Sequence, residues 1–281
     1  MSGSGGIKES AEDAKDAGQK AGRQAARSRW LRTLASVGFA AKGLLYLVVG
    51  YLALRIAFGE SGGQEADNSG ALQLVAQNPG GTVLLWVCAA GLAGLALWQL
   101  ITAAVGVDKA TKRVSAIANA VTCAVLASTI TAFLLGGGAP ESQDSQSESL
   151  TAQLMSLPFG LFVVGAVGCG MIGVGAYQIW KALTRRFKRD LALGGLPEAQ
   201  KRGIVVVGIL GYATHGLVLG AAGVFILQAA ITFDKDKAQG LDGTLRAFAD
   251  TPAGPPALVA VALGVALYGA YCLCLARWSR R

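Results

Sequence analysis

Apolar positions along the chain gather into six long runs, at approximately residues 34–58, 82–105, 114–136, 158–181, 203–232 and 256–276, separated by polar stretches. Each run is about 20 residues or longer, and a helix rising about 1.5 Å per residue crosses a roughly 30 Å hydrocarbon layer in that length. The pattern therefore predicts an all-α integral membrane protein, a six-helix bundle. Three of the polar stretches carry a weaker signal of their own. Gly70–Gly81, Leu150–Gly160 and Thr244–Gly254 each read as a short amphipathic segment stopped by a proline, Pro79, Pro158 or Pro252, at the membrane surface.

Aligning those prolines brings Gly81, Gly160 and Gly254 together, then Gly91, Gly170 and Gly264, then Trp98, Tyr177 and Tyr271, with no gap over nineteen residues. The helices that precede them repeat as well. Gly38–Gly43 reads G-F-A-A-K-G, Gly211–Gly216 reads G-Y-A-T-H-G, and Ser115–Ala120, S-A-I-A-N-A, is a worn third copy. Self-similarity at fixed spacing is the mark of duplicated units. Residues 1–33 are then a basic tail, 34–106 repeat 1, 113–182 repeat 2 and 203–277 repeat 3, each of two spanning helices. Each unit makes two crossings, so the three are parallel, and parallel repeats are related by an axis along the membrane normal. A pseudo-threefold bundle is expected.

Composition agrees: 53% of the 281 residues are apolar and 15% charged, which excludes an ordinary soluble domain. The net charge of +8 would suggest nucleic acid in a soluble chain, but its placement follows the membrane. Lys and Arg crowd the tail, the stretch at 109–113, the stretch at 185–202 and the end of the chain, whereas 59–79 and 137–157 have none. By the positive-inside rule both termini are cytoplasmic in a plasma membrane. Only 233–255, with Lys235, Lys237 and Arg246 among four Asp, blurs the pattern. The polar start excludes a signal peptide, so the first span is expected to act as a retained anchor. The five cysteines all fall in the runs and read as small buried apolar residues, not as a metal or redox set.

The first-helix pattern G-x-x-A-K-G-x-x-Y, met by Gly38, Ala41, Lys42, Gly43 and Tyr46, together with the basic start and three tandem two-helix repeats, resembles the bacterial membrane proteins carrying the domain of unknown function numbered 1206. Members are common in high-GC Gram-positive bacteria. The resemblance covers about 30–276, implies the architecture just described, and implies no reaction. The middle repeat departs most from the pattern, with Asn119 in place of the ionisable residue and Cys123 where Tyr46 stands.

An ionisable side chain inside a span is costly and invites a functional reading. Lys42, Asn119 and His215 occupy the fifth position of the three motif copies. Lys42 can snorkel to the inner headgroups; alternatively the three converge on the axis as a polar layer that Gln99 and Gln178, beside the aligned Trp98 and Tyr177, would complete. His215 is the one histidine, which leaves no histidine-based metal set and suggests an interhelical hydrogen bond. No Asp or Glu lies in a run, which argues against proton relays and cation-coupled carriers and favours an anion, such as a phosphate headgroup. Gly91, Gly170 and Gly264 read as helix-packing positions. No phosphate-binding loop, dinucleotide fingerprint or nucleophile elbow is present, so neither a catalytic residue nor a cofactor is expected. The expected role is a non-enzymatic accessory or scaffold protein whose partners are membrane lipids, anionic ones included, or another membrane protein. The alternative is a small channel or carrier with its pathway on the pseudo-threefold axis.

Overall fold

The computed structural model describes residues 29–59, 65–105, 110–136, 138, 142–156, 159–192, 194–232, 241–249 and 254–279. The tail up to residue 28, Pro158, Pro252 and residues 233–240 lie outside the described residues. Nine α-helices are described: α1 (Arg29–Ala57), α2 (Asn68–Ala76), α3 (Gly81–Val105), α4 (Ala110–Leu134), α5 (Gln143–Met155), α6 (Gly160–Leu183), α7 (Glu198–Thr232), α8 (Leu241–Ala249) and α9 (Gly254–Trp278). A 3-10 turn, Arg186–Asp190, follows α6. Six of the helices, α1, α3, α4, α6, α7 and α9, are long and apolar enough to cross a membrane. The three short ones occupy the predicted loop positions. α5 begins seven residues before the expected segment, because Ser142 caps it by accepting a hydrogen bond from the Ser145 N–H at 3.0 Å.

The long helices pack in the order α4, α3, α1, α9, α7, α6, so that neighbours follow the chain except at one place. The two helices of the middle repeat, α4 and α6, do not pack on each other, whereas α1 packs on α3 and α7 on α9. The bundle is open there. Accordingly 56%, 50% and 56% of the spanning windows of α1, α3 and α9 are buried, against 28% and 22% for α4 and α6.

Small residues explain the close contacts. A Cβ at Gly91 would lie 2.9 Å from the Gly38 nitrogen, and one at Gly264 would collide with Thr214, so these two positions do carry the α1–α3 and α7–α9 contacts. Gly170 does not. A Cβ there, or at Gly173, would meet nothing within 4 Å, which corrects the packing role expected of Gly170. In α4 the position of Gly38 is held by Ser115, which is exposed. Sequence reading missed two further close pairs. Cβ atoms at Gly43 and Gly216 would lie 2.8 Å from the Gly269 oxygen and 2.7 Å from the Gly175 oxygen, joining α1 to α9 and α7 to α6. Ala96 and Ala120, both buried, hold the matching places on α3 and α4.

At the end of the bundle opposite Arg29 and Trp278, the three short helices are chained by carboxylates. Asp67 accepts from the Gln143 N–H, Asp144 from the Gly243 N–H, and Asp242 from the Ala66 N–H, each at 2.7 Å. Each unit thus hands an acceptor to the next. Asp67, fully buried, also caps α2 by accepting from the Gly70 N–H at 2.9 Å. Asp67→Ala orphans two backbone donors at once, and a loss of about 2–3 kcal/mol follows from one cap and one charged hydrogen bond. Thermal unfolding of the detergent-purified chain checks it.

Glu65 stands beside this chain of acids. Burial, and then the nearby Asp67 and Asp242, push its carboxyl above the ordinary value, with a hydrogen bond from Ser142 acting the other way. An acid whose folded pKa is raised contributes stability below its unfolded pKa and loses it as pH rises through the folded value. Ionised Glu65 is therefore a local liability at neutral pH. Glu65→Gln is expected to raise the thermal midpoint at pH 7 and to leave it unchanged near pH 4, where the wild-type carboxyl is already protonated.

Candidate functional site

Lys42 projects from α1 at the motif position that Asn119 holds on α4 and His215 on α7. The structure brings Lys42 and Asn119 into direct contact: Lys42 Nζ donates to Asn119 Oδ1 at 2.8 Å. His215 joins them through Tyr46, one helical turn beyond Lys42, whose hydroxyl lies 2.9 Å from His215 Nε2. The other ring nitrogen, Nδ1, lies 2.8 Å from Gln178 Oε1 on α6. An amide oxygen only accepts, so this arrangement assigns the proton to Nδ1 and leaves Nε2 to accept from the Tyr46 hydroxyl. Both nitrogens of a neutral imidazole are then satisfied.

Aromatic rings hold the layer rigid. Tyr268 of α9 stacks on His215 with centroids 4.1 Å apart, and Tyr46 meets Tyr268 edge-on at 5.0 Å. Lys42 Nζ lies 6.0 Å from the Tyr46 centroid and 5.9 Å from that of Tyr268, at the outer limit of cation–π attraction. Five helices thus contribute to one polar cluster. Lys42 is buried, whereas Asn119, His215 and Gln178 are half-buried. Asn119 on α4 and Gln178 on α6 stand one on each wall of the opening between those helices.

Gln99 behaves differently from its counterpart Gln178. It is buried, and its Nε2 has no hydrogen-bond partner among the described residues. The aromatic members of the cluster were harder to see in the sequence. Tyr46 belongs to the motif pattern, but Val174 and Leu95 stand where Tyr268 would recur, so repeat comparison hid Tyr268. The cysteines are mixed: Cys123 and Cys272 are buried, but Cys169 is exposed on the bare face of α6, contrary to the expectation for all five.

The electrostatic character follows from what surrounds the ammonium. Its bonded acceptor is an amide oxygen, and among the described residues no carboxylate forms a salt bridge with Lys42. Nor do the described residues assemble a group of three or more His, Cys, Asp or Glu that could hold a metal ion. The cluster offers donors and positive charge.

Three stretches, 37–106, 114–185 and 210–279, match the profile of one family, described as Domain of Unknown Function (DUF1206). The chain belongs to the DUF1206 family. The three matched stretches each contain one motif residue of the cluster, Lys42, Asn119 or His215. Among curated proteins the chain is similar to the uncharacterised protein YxxB of Bacillus subtilis (strain 168), 26% identical over 251 residues, covering 87% of this chain and 90% of that protein. No solved structure matches. With six helices of spanning length and three DUF1206 units, the chain is a multi-pass membrane protein.

At the other end of the bundle a turn packs against α7 and α9. Phe187, fully buried, lies 5.8 Å from the Tyr212 ring and 5.4 Å from that of Tyr271, under α7 and α9. Lys181 and Asp190 pair at 2.8 Å, and the Ala192 N–H donates to the Trp278 carbonyl at 2.7 Å, pinning both ends of the turn.

Proposed function

We propose that this DUF1206 protein is a non-enzymatic membrane accessory protein that binds a phosphate-bearing anionic group at the Lys42–Asn119–His215–Gln178 cluster. The carrying observation is the buried Lys42 ammonium, with three donors and an amide oxygen rather than a carboxylate as its bonded acceptor. A buried charge without a counter-charge is strongly disfavoured. An anion seated against Lys42 supplies that counter-charge, and the Asn119 and Gln178 amides, each with an NH₂ group, add donors suited to phosphate oxygens. The basic end of the bundle then faces the cytoplasm of a cell membrane, as the positive-inside rule requires. The helix order and the carboxylate chain between repeats support units disposed about an axis normal to that membrane.

A conduit along this axis receives less support. Tyr46, Tyr268, Tyr212 and Tyr271 pack edge and face between α1, α7 and α9, filling the region a pore would need. Native mass spectrometry of the chain purified in neutral detergent tests the proposal. The wild type is expected to retain a phosphate-bearing species that Lys42→Met releases; equal retention by both, or retention by neither, would count against it.

A further inference from the structure

We infer that the anion is the headgroup of an acidic phospholipid of the basic-side leaflet, admitted sideways between α4 and α6 with an acyl chain along the bare face of α6. This rests on the anion reading above and adds the source of the ligand and its route.

The route follows from which sides are shut. At one end the three short helices are tied together through Asp67, Asp144 and Asp242, with Asp242 also paired to Arg246 at 2.6 Å. At the other end Phe187 and its turn sit under α7 and α9. Sideways, the middle repeat is open where its two sister repeats are packed, and Gly170 and Gly173 face empty space. An aperture in the wall of a spanning bundle opens onto lipid.

Depth and charge fit the same occupant. Asn119 lies four residues into the span beginning at Ser115, and Gln178 five residues before the span's end at Leu183, placing both about 6–8 Å inside the basic end by helical rise. That is within reach of a headgroup settling from the adjacent leaflet. Exposed cations mark the feet of both walls: Arg113 at the start of α4, its Nε bonded to the Ala103 carbonyl, and Arg186 beyond α6, its guanidinium 4.2 Å over the Trp180 ring. Basic side chains at a membrane surface favour anionic over neutral lipid. Above them α6 exposes Val174, Val167 and Val163 alongside Gly170, an apolar strip along one face of the helix.

The test measures binding to the full chain in dodecyl maltoside. Probes are dioctanoyl phosphatidylglycerol, dioctanoyl phosphatidylcholine and glycerol 3-phosphate, with wild type, Lys42→Met and Gly173→Phe. Phosphatidylglycerol is expected to bind wild type more tightly than either other probe by about tenfold or more, a modest specific preference. Gly173→Phe fills open space, so it should fold, weaken phosphatidylglycerol by a similar factor and leave glycerol 3-phosphate unchanged. If glycerol 3-phosphate and phosphatidylglycerol bind alike and Gly173→Phe alters neither, the sideways lipid falls while the anion reading stands. If Lys42→Met binds phosphatidylglycerol as wild type does, both fall. If Gly173→Phe instead splits a dimer seen by light scattering without changing lipid binding, a second copy occupies the opening and the lipid assignment is overturned. A phosphatidylglycerol with a photoreactive tail gives a readout on unmodified protein: crosslinks on α4 and α6 support the site, and crosslinks confined to α9 overturn it.

Discussion

Gly216→Leu is expected to lower the thermal midpoint of the detergent-purified protein sharply, where Gly170→Leu leaves it almost unchanged. A Cβ at Gly216 would lie 2.7 Å from the Gly175 carbonyl oxygen, and one at Gly175 would meet the Gly216 oxygen in turn. The atoms met are backbone, so no rotamer change relieves them, and α6 must move away from α7. Overpacking of a tight contact costs about 1–3 kcal/mol, and this pair sits at the upper end because separation also strips contacts from the rest of that interface. The movement should break the His215–Gln178 bond as well, since the two residues lie beside the glycine pair. Gly170→Leu, on α6 but facing open space, is expected to change stability by less than about 0.5 kcal/mol. Equal losses from the two would mean that α6 is packed on both faces.

The second large effect concerns the charge. In protein stripped of bound anion, Asn119→Leu removes the acceptor bonded to Lys42 Nζ and leaves a buried ammonium unpaired, at a cost of about 3 kcal/mol. Lys42→Met should cost far less, because it deletes the charge and keeps the apolar stem, while the freed amide stays half-exposed at the opening. The double variant should then recover most of the Asn119→Leu loss. Thermal or denaturant unfolding of the four proteins gives the coupling directly. Simple addition of the two single effects would show that the lysine escapes to the surface and that its bond to Asn119 carries little energy.

Much of this architecture is legible in the chain because membrane helices announce themselves. Run length fixes the six spans, and the proline-aligned glycines and aromatics fix the units. Contact of Lys42 with Asn119 was readable for a physical reason: equivalent positions in parallel units occupy equivalent depths. The opening was not readable in the same way, because repeat comparison assumes that equal units pack equally. Its one trace is Ser115 where Gly38 and Gly211 stand. The carboxylate chain escaped notice because Asp67, Asp144 and Asp242 stand at different distances from the aligned prolines Pro79, Pro158 and Pro252, so they do not fall in one column. Phe187 escaped for the opposite reason: a lone aromatic in a basic stretch has no partner in the sequence, and its seat against Gly208 and Tyr271 exists only in three dimensions.

The most direct measurement is an electron cryomicroscopy map of the full chain in nanodiscs containing phosphatidylglycerol. A phosphate-shaped density at hydrogen-bond distance from Lys42 Nζ, between α4 and α6, is the predicted result. A map in which α4 and α6 close on each other, with Lys42 held by Asn119 and no density beside it, would contradict the account.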